Sequence, residues 1–160
     1  MNTTYTNNNI SINKNNPYNK FILKYDWDFF ITICYENKRK TSTIRKHITD
    51  LYNKSYWIER LIFVKEDTKT GLPHIHFVIK TKDKQRSLKT LNKILKQYGN
   101  TDIQDFDNSE NNNVGGYMFK DYKNPNNDYD FLGIPIDEKK LLREQSVSYT
   151  HLTLPTNREV

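Results

Sequence analysis

The chain has 160 residues, 35% of them hydrophobic, a net charge of +6, a pI near 9.2 and one cysteine. That length suits one domain with a modest, aromatic-rich core, and the charge points to a polyanionic partner, nucleic acid before membrane. Cys34 alone excludes an internal disulfide and fits a reducing compartment, while no apolar run of about 18 residues, no signal-peptide core and no Gly-x-x-x-x-Gly-Lys-Ser/Thr phosphate loop is present.

Residues 1–20 are rich in Asn and Thr and read as a disordered arm, too polar to offset the entropy of ordering. Trp27 to Tyr35 is aromatic and β-branched, the composition of a buried strand. Ser42 is placed to cap a helix with Ile44, Ile48, Leu51 and Tyr52 on one face. A second strand is predicted from Trp57 to Glu66 and a third from His74 to Lys80, joined by the polar Asp67–Pro73 turn. Ser87 is placed to cap a second helix with Leu88, Leu91, Leu95 and Tyr98 on one side, and Gly99 to stop it. A short strand is expected around Asp102 to Asp107, then an Asn- and Gly-rich linker and a last helix from about Val114 to Tyr122. The order β-α-β-β-α-β-α predicts an α+β fold, an antiparallel sheet of about five strands with packed helices, over residues 21–135. Residues 136–145 read as a tail or the start of a linker. Ser146 to Thr156 resembles a translated sequencing-library adapter, so residues 146–160, with Tyr149 and His151, are expected to be non-native, which leaves open whether a natural C-terminal domain followed.

The chemistry concentrates at Pro73-His74-Ile75-His76. Alternate residues of a strand share a face, so His74 and His76 project together while Ile75 enters the core. Glu66 ends the preceding strand across the turn. Two imidazoles and a carboxylate make half a coordination shell for a divalent ion and leave positions open for water or phosphate oxygens. Such a set suits Mg²⁺ or Mn²⁺, with imidazole favouring Mn²⁺. Glu59 is the poorer ligand, a strand-length from the turn; Cys34 and His47 lack the paired-cysteine spacing of a zinc site. Tyr-x-x-Lys occurs at Tyr35–Lys38 and at Tyr117–Lys120. Tyr35 ends a strand and is expected to pack there, and Tyr122 is read as packing. Tyr117 follows Gly115-Gly116 at a helix start, with Lys120 one turn on, where a cation can hold a phosphate or lower the phenol's pKa. A tyrosine beside a metal ion is a candidate nucleophile for a phosphodiester.

Three motifs in this order resemble the HUH endonucleases, the rolling-circle replication initiators (Rep proteins) of small viruses, phages and plasmids. Phe30-Ile31-Thr32-Ile33 resembles the first motif, with Ile33 in place of the usual aromatic. Gly71-Leu72-Pro73-His74-Ile75-His76 resembles the second closely, and Tyr117-Met118-Phe119-Lys120 the third. The resemblance spans roughly Trp27 to Tyr122, and a single tyrosine places the chain with the one-tyrosine enzymes.

The resemblance implies a ferredoxin-like nuclease fold in which His74, His76 and Glu66 hold the ion. Tyr117 would attack single-stranded DNA at a replication origin, a hairpin, to form a 5′-phosphotyrosine and a free 3′-hydroxyl, with Lys120 positioning the phosphate or assisting proton transfer. Lys38, Arg39, Lys40, Lys84 and Arg86 would track the DNA backbone. A host polymerase and helicase are the implied partners, in a bacterial cytoplasm or in the nucleus for a eukaryotic virus. Two alternatives stay open: a single-strand transposase of the same class, which usually carries a glutamine where Lys120 stands, and a non-catalytic nucleic-acid-binding module on a similar sheet. A relaxase fits less well, because relaxases usually use three histidines.

Overall fold

The computed structural model describes residues 16–109 and 112–153. It is an α+β fold built on a five-stranded antiparallel sheet. The elements run α1 (Pro17–Leu23), β1 (Phe29–Tyr35), α2 (Thr41–Lys54), β2 (Ile58–Asp67), β3 (Pro73–Thr81), α3 (Lys84–Leu95), β4 (Gly99–Asp105), α4 (Val114–Met118), β5 (Asp128–Leu132) and α5 (Ile136–Thr153). Strand order is β4-β1-β3-β2-β5, so β3 lies at the centre. No helix among the described residues is long and apolar enough to cross a membrane.

The three central strands, β1, β3 and β2, are covered on both sides and largely apolar on both pleats, whereas the edge strands β4 and β5 are mostly polar and half-exposed. Phe29, Ile31, Ile33, Phe63, Ile75 and Phe77 face α2 and α3, whose Ile44, Ile48, Leu91 and Leu95 complete that core. Phe30, Ile62, Val64, Val78 and Phe131 face α1, α4 and α5 across a second core that is mostly aromatic. There Tyr18 stacks on Phe119 at 4.3 Å between centroids, with Phe131 stacked behind Phe119 at 5.8 Å. Such ring pairs add about 0.5–1.5 kcal/mol each beyond their buried area. Lys65 is buried on the first face because its ammonium is satisfied, donating to Thr41 Oγ1 at 2.9 Å and to the Asn126 carbonyl at 3.3 Å.

Several expectations need correction. The expected arm over residues 1–20 lies outside the described residues up to Asn15, but Pro17 to Lys20 are the start of α1. Asn16 caps that helix, its side chain accepting from the Tyr18 N–H at 2.8 Å, and Pro17 sits at its first position. Residues 136–145 are no tail: they open α5, and Leu142 is buried in the aromatic core. The segment read as non-native is described only to Thr153, and its first residue, Ser146, is buried with its hydroxyl 3.0 Å from that of Tyr18. Ser42 does not cap α2, which begins after Lys40 without a side-chain cap. Asp83, not Ser87, caps α3; Ser87 is buried and Leu88 is exposed. Gly99 starts β4 rather than merely stopping α3, and the strand ends at Asp105.

The turn between β2 and β3 uses Gly71 at φ +84°, a conformation that side chains with a Cβ rarely adopt. It closes through Gly71 N–H to the Thr68 carbonyl at 2.9 Å, which fixes the register of Glu66 against His74. On the other face α1 and α4 touch backbone to backbone at Gly115. A Cβ there would stand 2.3 Å from Asn19 Cα, and the Asn19 side chain clamps the contact by accepting from Gly115 N–H at 2.9 Å and donating to the Asn112 carbonyl at 3.3 Å. Gly115→Ala therefore forces the helices apart. It should cost about 1–3 kcal/mol of stability, lowering the thermal midpoint by roughly 3–10 °C; an unchanged melting curve would show that α1 yields there without cost.

Candidate metal and tyrosine site

The site is set by strand pleat and register. Glu66 pairs with His74 across β2–β3, and β1 lies on the other side of β3, pairing Thr32 with His76 and Cys34 with His74. Glu66, His74, His76, Thr32 and Cys34 all stand on the sheet face that carries the aromatic core, at the edge where that core stops. His74 is half-buried and Cys34 exposed, whereas His76 is only 4% exposed and Glu66 7%.

One atom from each of Glu66, His74 and His76 can be chosen so that all lie within 4.8 Å of one another. Ligand atoms around an ion bonded at about 2.0–2.2 Å stand roughly 3–4 Å apart, so small side-chain rotations would close this set. His76 Nε2 is buried and has no hydrogen-bond partner, while its Nδ1 lies 3.0 Å from Thr32 Oγ1. A buried imidazole nitrogen without a hydrogen-bond partner, on a ring clustered with two other ligand candidates, fits a metal-binding role. Burial pushes His76 down to about 3, with His74 and Lys120 adding to the effect and Glu66 opposing it. Burial alone would push Glu66 up, but His74 and the Lys120 ammonium outweigh it and hold the carboxyl at about 2. At neutral pH the site therefore offers an ionised carboxylate and an uncharged imidazole, the protonation states that ligands need.

Tyr117 is brought to this cluster by α4. Its ring stands 5.2 Å from that of His76, edge-on at 65°, and 6.4 Å from Phe30. Lys120 stands beside Tyr117, but not as the next turn of a helix. The helix ends at Met118 rather than near Tyr122, because Phe119 turns off to stack on Tyr18, and Lys120 lies beyond it. Its ammonium sits 4.5 Å from the centroid of the Tyr117 ring and donates to both oxygens of Glu66, at 3.3 and 3.1 Å. Lys120 thus ties nucleophile candidate to ligand candidate, a contact that sequence spacing did not reveal.

The basic residues divide. Lys38, Arg39 and Lys40 are exposed on the loop leaving β1, and Lys38 reaches Gly71, so they flank the His74 end of the sheet. Lys84 lies over the Phe29 ring and pairs with Asp105, about 17 Å along β1 from Cys34 at 3.3 Å per residue. Arg86 is at that far end too, lining a cleft of about 300 Å³ with Tyr56, Trp57 and Lys82. Glu59 is likewise remote, beside Arg60. His47 belongs to the opposite face, stacked on Tyr98 at 4.5 Å and bonded to the Tyr35 hydroxyl at 2.9 Å. Tyr35 and Tyr122 both pack as expected, the latter 4.9 Å from Tyr18. Sequence reasoning gave Thr32 no part in the site; its signal was the antiparallel neighbouring of β1 and β3.

Comparison with protein-family models finds no match, and comparison with curated proteins finds none. Among solved structures the chain is similar to the hypothetical protein ORF119 from Sulfolobus islandicus rod-shaped virus 1. Identity is 24%, the match covers 71% of this chain and 96% of that one, and the TM-score is 0.47. The likeness is distant, and its name states no activity.

The two shifted groups predict acid sensitivity. Both have folded pKa values below their unfolded ones, so on acidification the unfolded chain takes up the proton first. His76 costs stability as the pH falls from 6.5 towards 3, and Glu66 as it falls from 4.5 towards 2. In EDTA, unfolding free energy between pH 6 and pH 4 should fall more steeply for wild type than for His76→Gln, by about 1.4 kcal/mol per pH unit. Equal slopes in urea titrations would mean that His76 titrates normally in the fold.

Proposed function

We propose that this chain is a metal-dependent, single-stranded DNA endonuclease of the HUH type, the nicking and joining domain of a rolling-circle replication initiator. The observation that carries this reading is the approach of the Tyr117 ring to His76, 5.2 Å away, beside the Glu66–His74–His76 cluster. A non-catalytic binding module has no need of a phenol, a buried orphan imidazole nitrogen and an ionised buried carboxylate in one place. When bound, a divalent ion, Mg²⁺ or Mn²⁺, would supply a Lewis acid for the scissile phosphate.

The residues divide the work. Glu66, His74 and His76 would hold the ion, His76 needing no deprotonation at neutral pH because burial already keeps it uncharged. Tyr117 would attack phosphorus: the new bond joins its phenolic oxygen to the 5′-phosphate, the bond to the 3′-oxygen breaks, and that oxygen leaves with a proton as a 3′-hydroxyl. Negative charge grows on the phenol as its proton departs. Lys120, 4.5 Å from the ring centroid, faces that charge from the ring's π side. The phosphotyrosine conserves the energy of the cut link, so the same residues can reverse the step onto another 3′-hydroxyl. Lys38, Arg39 and Lys40 flank this end of the sheet and would receive the strand's phosphates; Lys84 and Arg86, at the far end, are reachable only by a longer segment or the stem of an origin hairpin. A host polymerase and helicase would act on the products, where the replicon is copied: a bacterial cytoplasm, or a nucleus for a eukaryotic virus.

The test is a denaturing gel of protein incubated with Mn²⁺ and single-stranded oligonucleotides carrying varied hairpins. A slow-migrating protein–DNA adduct should form with wild type and vanish with Tyr117→Phe or EDTA. Binding without any adduct across the panel would instead favour the binding-module reading.

Lys120 and a divalent ion would contend for the same carboxylate. In calorimetric titration with Mn²⁺ alone, Lys120→Met should bind at least tenfold more tightly than wild type, since like charges a few ångströms apart repel by about 1–3 kcal/mol at an effective dielectric near 20. Weaker binding by the variant would show that the ammonium instead holds Glu66 in its ligating position.

A further inference from the structure

We infer that Thr32 is a positioning residue that fixes the tautomer of His76, its hydroxyl oxygen accepting a hydrogen bond from Nδ1–H so that Nε2 keeps a bare lone pair in the cluster with Glu66 and His74. The inference deepens the metal-site reading above and concerns a side chain that touches neither substrate nor ion.

Geometry narrows the choice. Thr32 Oγ1 lies 3.0 Å from His76 Nδ1, and Nε2 is buried without a partner. A neutral imidazole carries one N–H. If the hydroxyl donated to Nδ1, the proton would sit on Nε2, a buried donor with no hydrogen-bond partner. If the hydroxyl accepts, the N–H is satisfied and Nε2 is an acceptor lacking only a cation. The hydroxyl must then send its own proton elsewhere. On its other side β1 pairs with β4, and Thr32 is opposite Asp102. Cross-strand partners hold their Cβ atoms about 4.5–5.5 Å apart on one face, which places the Asp102 side chain on the same sheet face as the hydroxyl. Gln104 Nε2 donates to Asp102 Oδ2 at 2.6 Å and steadies it. With Nδ1–H donated to Thr32 Oγ1, the hydroxyl's own proton points away from the ring and Nε2 keeps its lone pair.

The ring has little freedom to do otherwise. It stacks on Phe30 at 5.7 Å and 9°, with Tyr117 and His74 against it edge-on. Packing fixes the plane of the imidazole; Thr32 decides which of its nitrogens carries the proton. Outer partners of this kind typically change metal affinity by 10–100-fold.

The test reads the tautomer directly. In ¹⁵N-labelled full-length protein at pH 7 in EDTA, long-range ¹H–¹⁵N spectra should show His76 protonated on Nδ1 and bare on Nε2. Thr32→Val, which keeps the shape and loses the oxygen, should mix the two forms and weaken Mn²⁺ binding in calorimetry by roughly tenfold. Thr32→Ser, which restores the oxygen, should return both to wild type. The inference is overturned if wild type carries its proton on Nε2, a measurement that needs no variant to fold. It is overturned equally if the valine variant keeps both the Nδ1–H form and full affinity. Wild type that shows the Nδ1–H form yet binds no Mn²⁺ would support the Thr32 assignment and sink the metal reading of the site, so the two failures are distinguishable.

Discussion

The alternation of side chains along β3, locked in register with a strand on either side, governs this molecule. Because β3 is central, every second residue points at one core or the other, and a shift by a single residue would exchange His74 and His76 for Ile75 and Phe77. The Gly71 turn prevents that shift on the β2 side, and the pairing of Phe29 with Ile79 through Cys34 with His74 prevents it on the β1 side. Two apolar cores, one on each face, therefore hold a polar cluster in place. The energy that resists slippage is the burial of Ile31, Ile33, Phe63, Ile75 and Phe77, none of which belongs to the cluster.

The tyrosine is held by a different device. The five-residue α4 is too short to be stable alone, since isolated helices under about 12 residues are marginal. It exists because α1 lies against it at Gly115, with Tyr18 stacked on Phe119 and Asn19 bonded to the Gly115 N–H. Tyr117 consequently reaches the cluster on a support packed from behind. The N-terminal helix is thus part of the site's frame although it contributes no residue to the chemistry.

What could be read from the sequence divides along the same line. The period of a strand is local, so the shared face of His74 and His76 and the placing of Glu66 across a turn were legible from residues 57 to 80 alone. The α+β class and the amphipathic α2 followed from equally local patterns. The first helix did not, because its helicity is tertiary: Tyr18, Phe21 and Ile22 are buried against elements more than 80 residues away. Its one local signal, Asn16 followed by Pro17, lay inside an Asn-rich stretch that masked it. The end of the last helix was misplaced for a related reason. Spacing of i, i+3 presumes that the helix continues, and only the stacking of Phe119 on Tyr18 shows that it stops. Thr32 needed knowledge of which strand lies beside β3, and the order β4-β1-β3-β2-β5 puts the first strand there, not a sequence neighbour.

The cluster also costs the fold something, and the cost bears on its purpose. A buried polar atom left without a partner is unfavourable by about 1–3 kcal/mol, and His76 Nε2 is such an atom. Glu66 is buried as a charge, stabilised by His74 and Lys120 but expensive to desolvate. Val64 and Phe30 stand immediately beside His76, so an apolar residue at that position would simply extend the aromatic core and remove the penalty. Surface lysines and histidines arise freely at no such expense; a buried orphan nitrogen beside a buried carboxylate does not. The arrangement is stable only because two cores support it, and it makes physical sense if a cation reaching Glu66, His74 and His76 completes the bonding that the protein by itself leaves open.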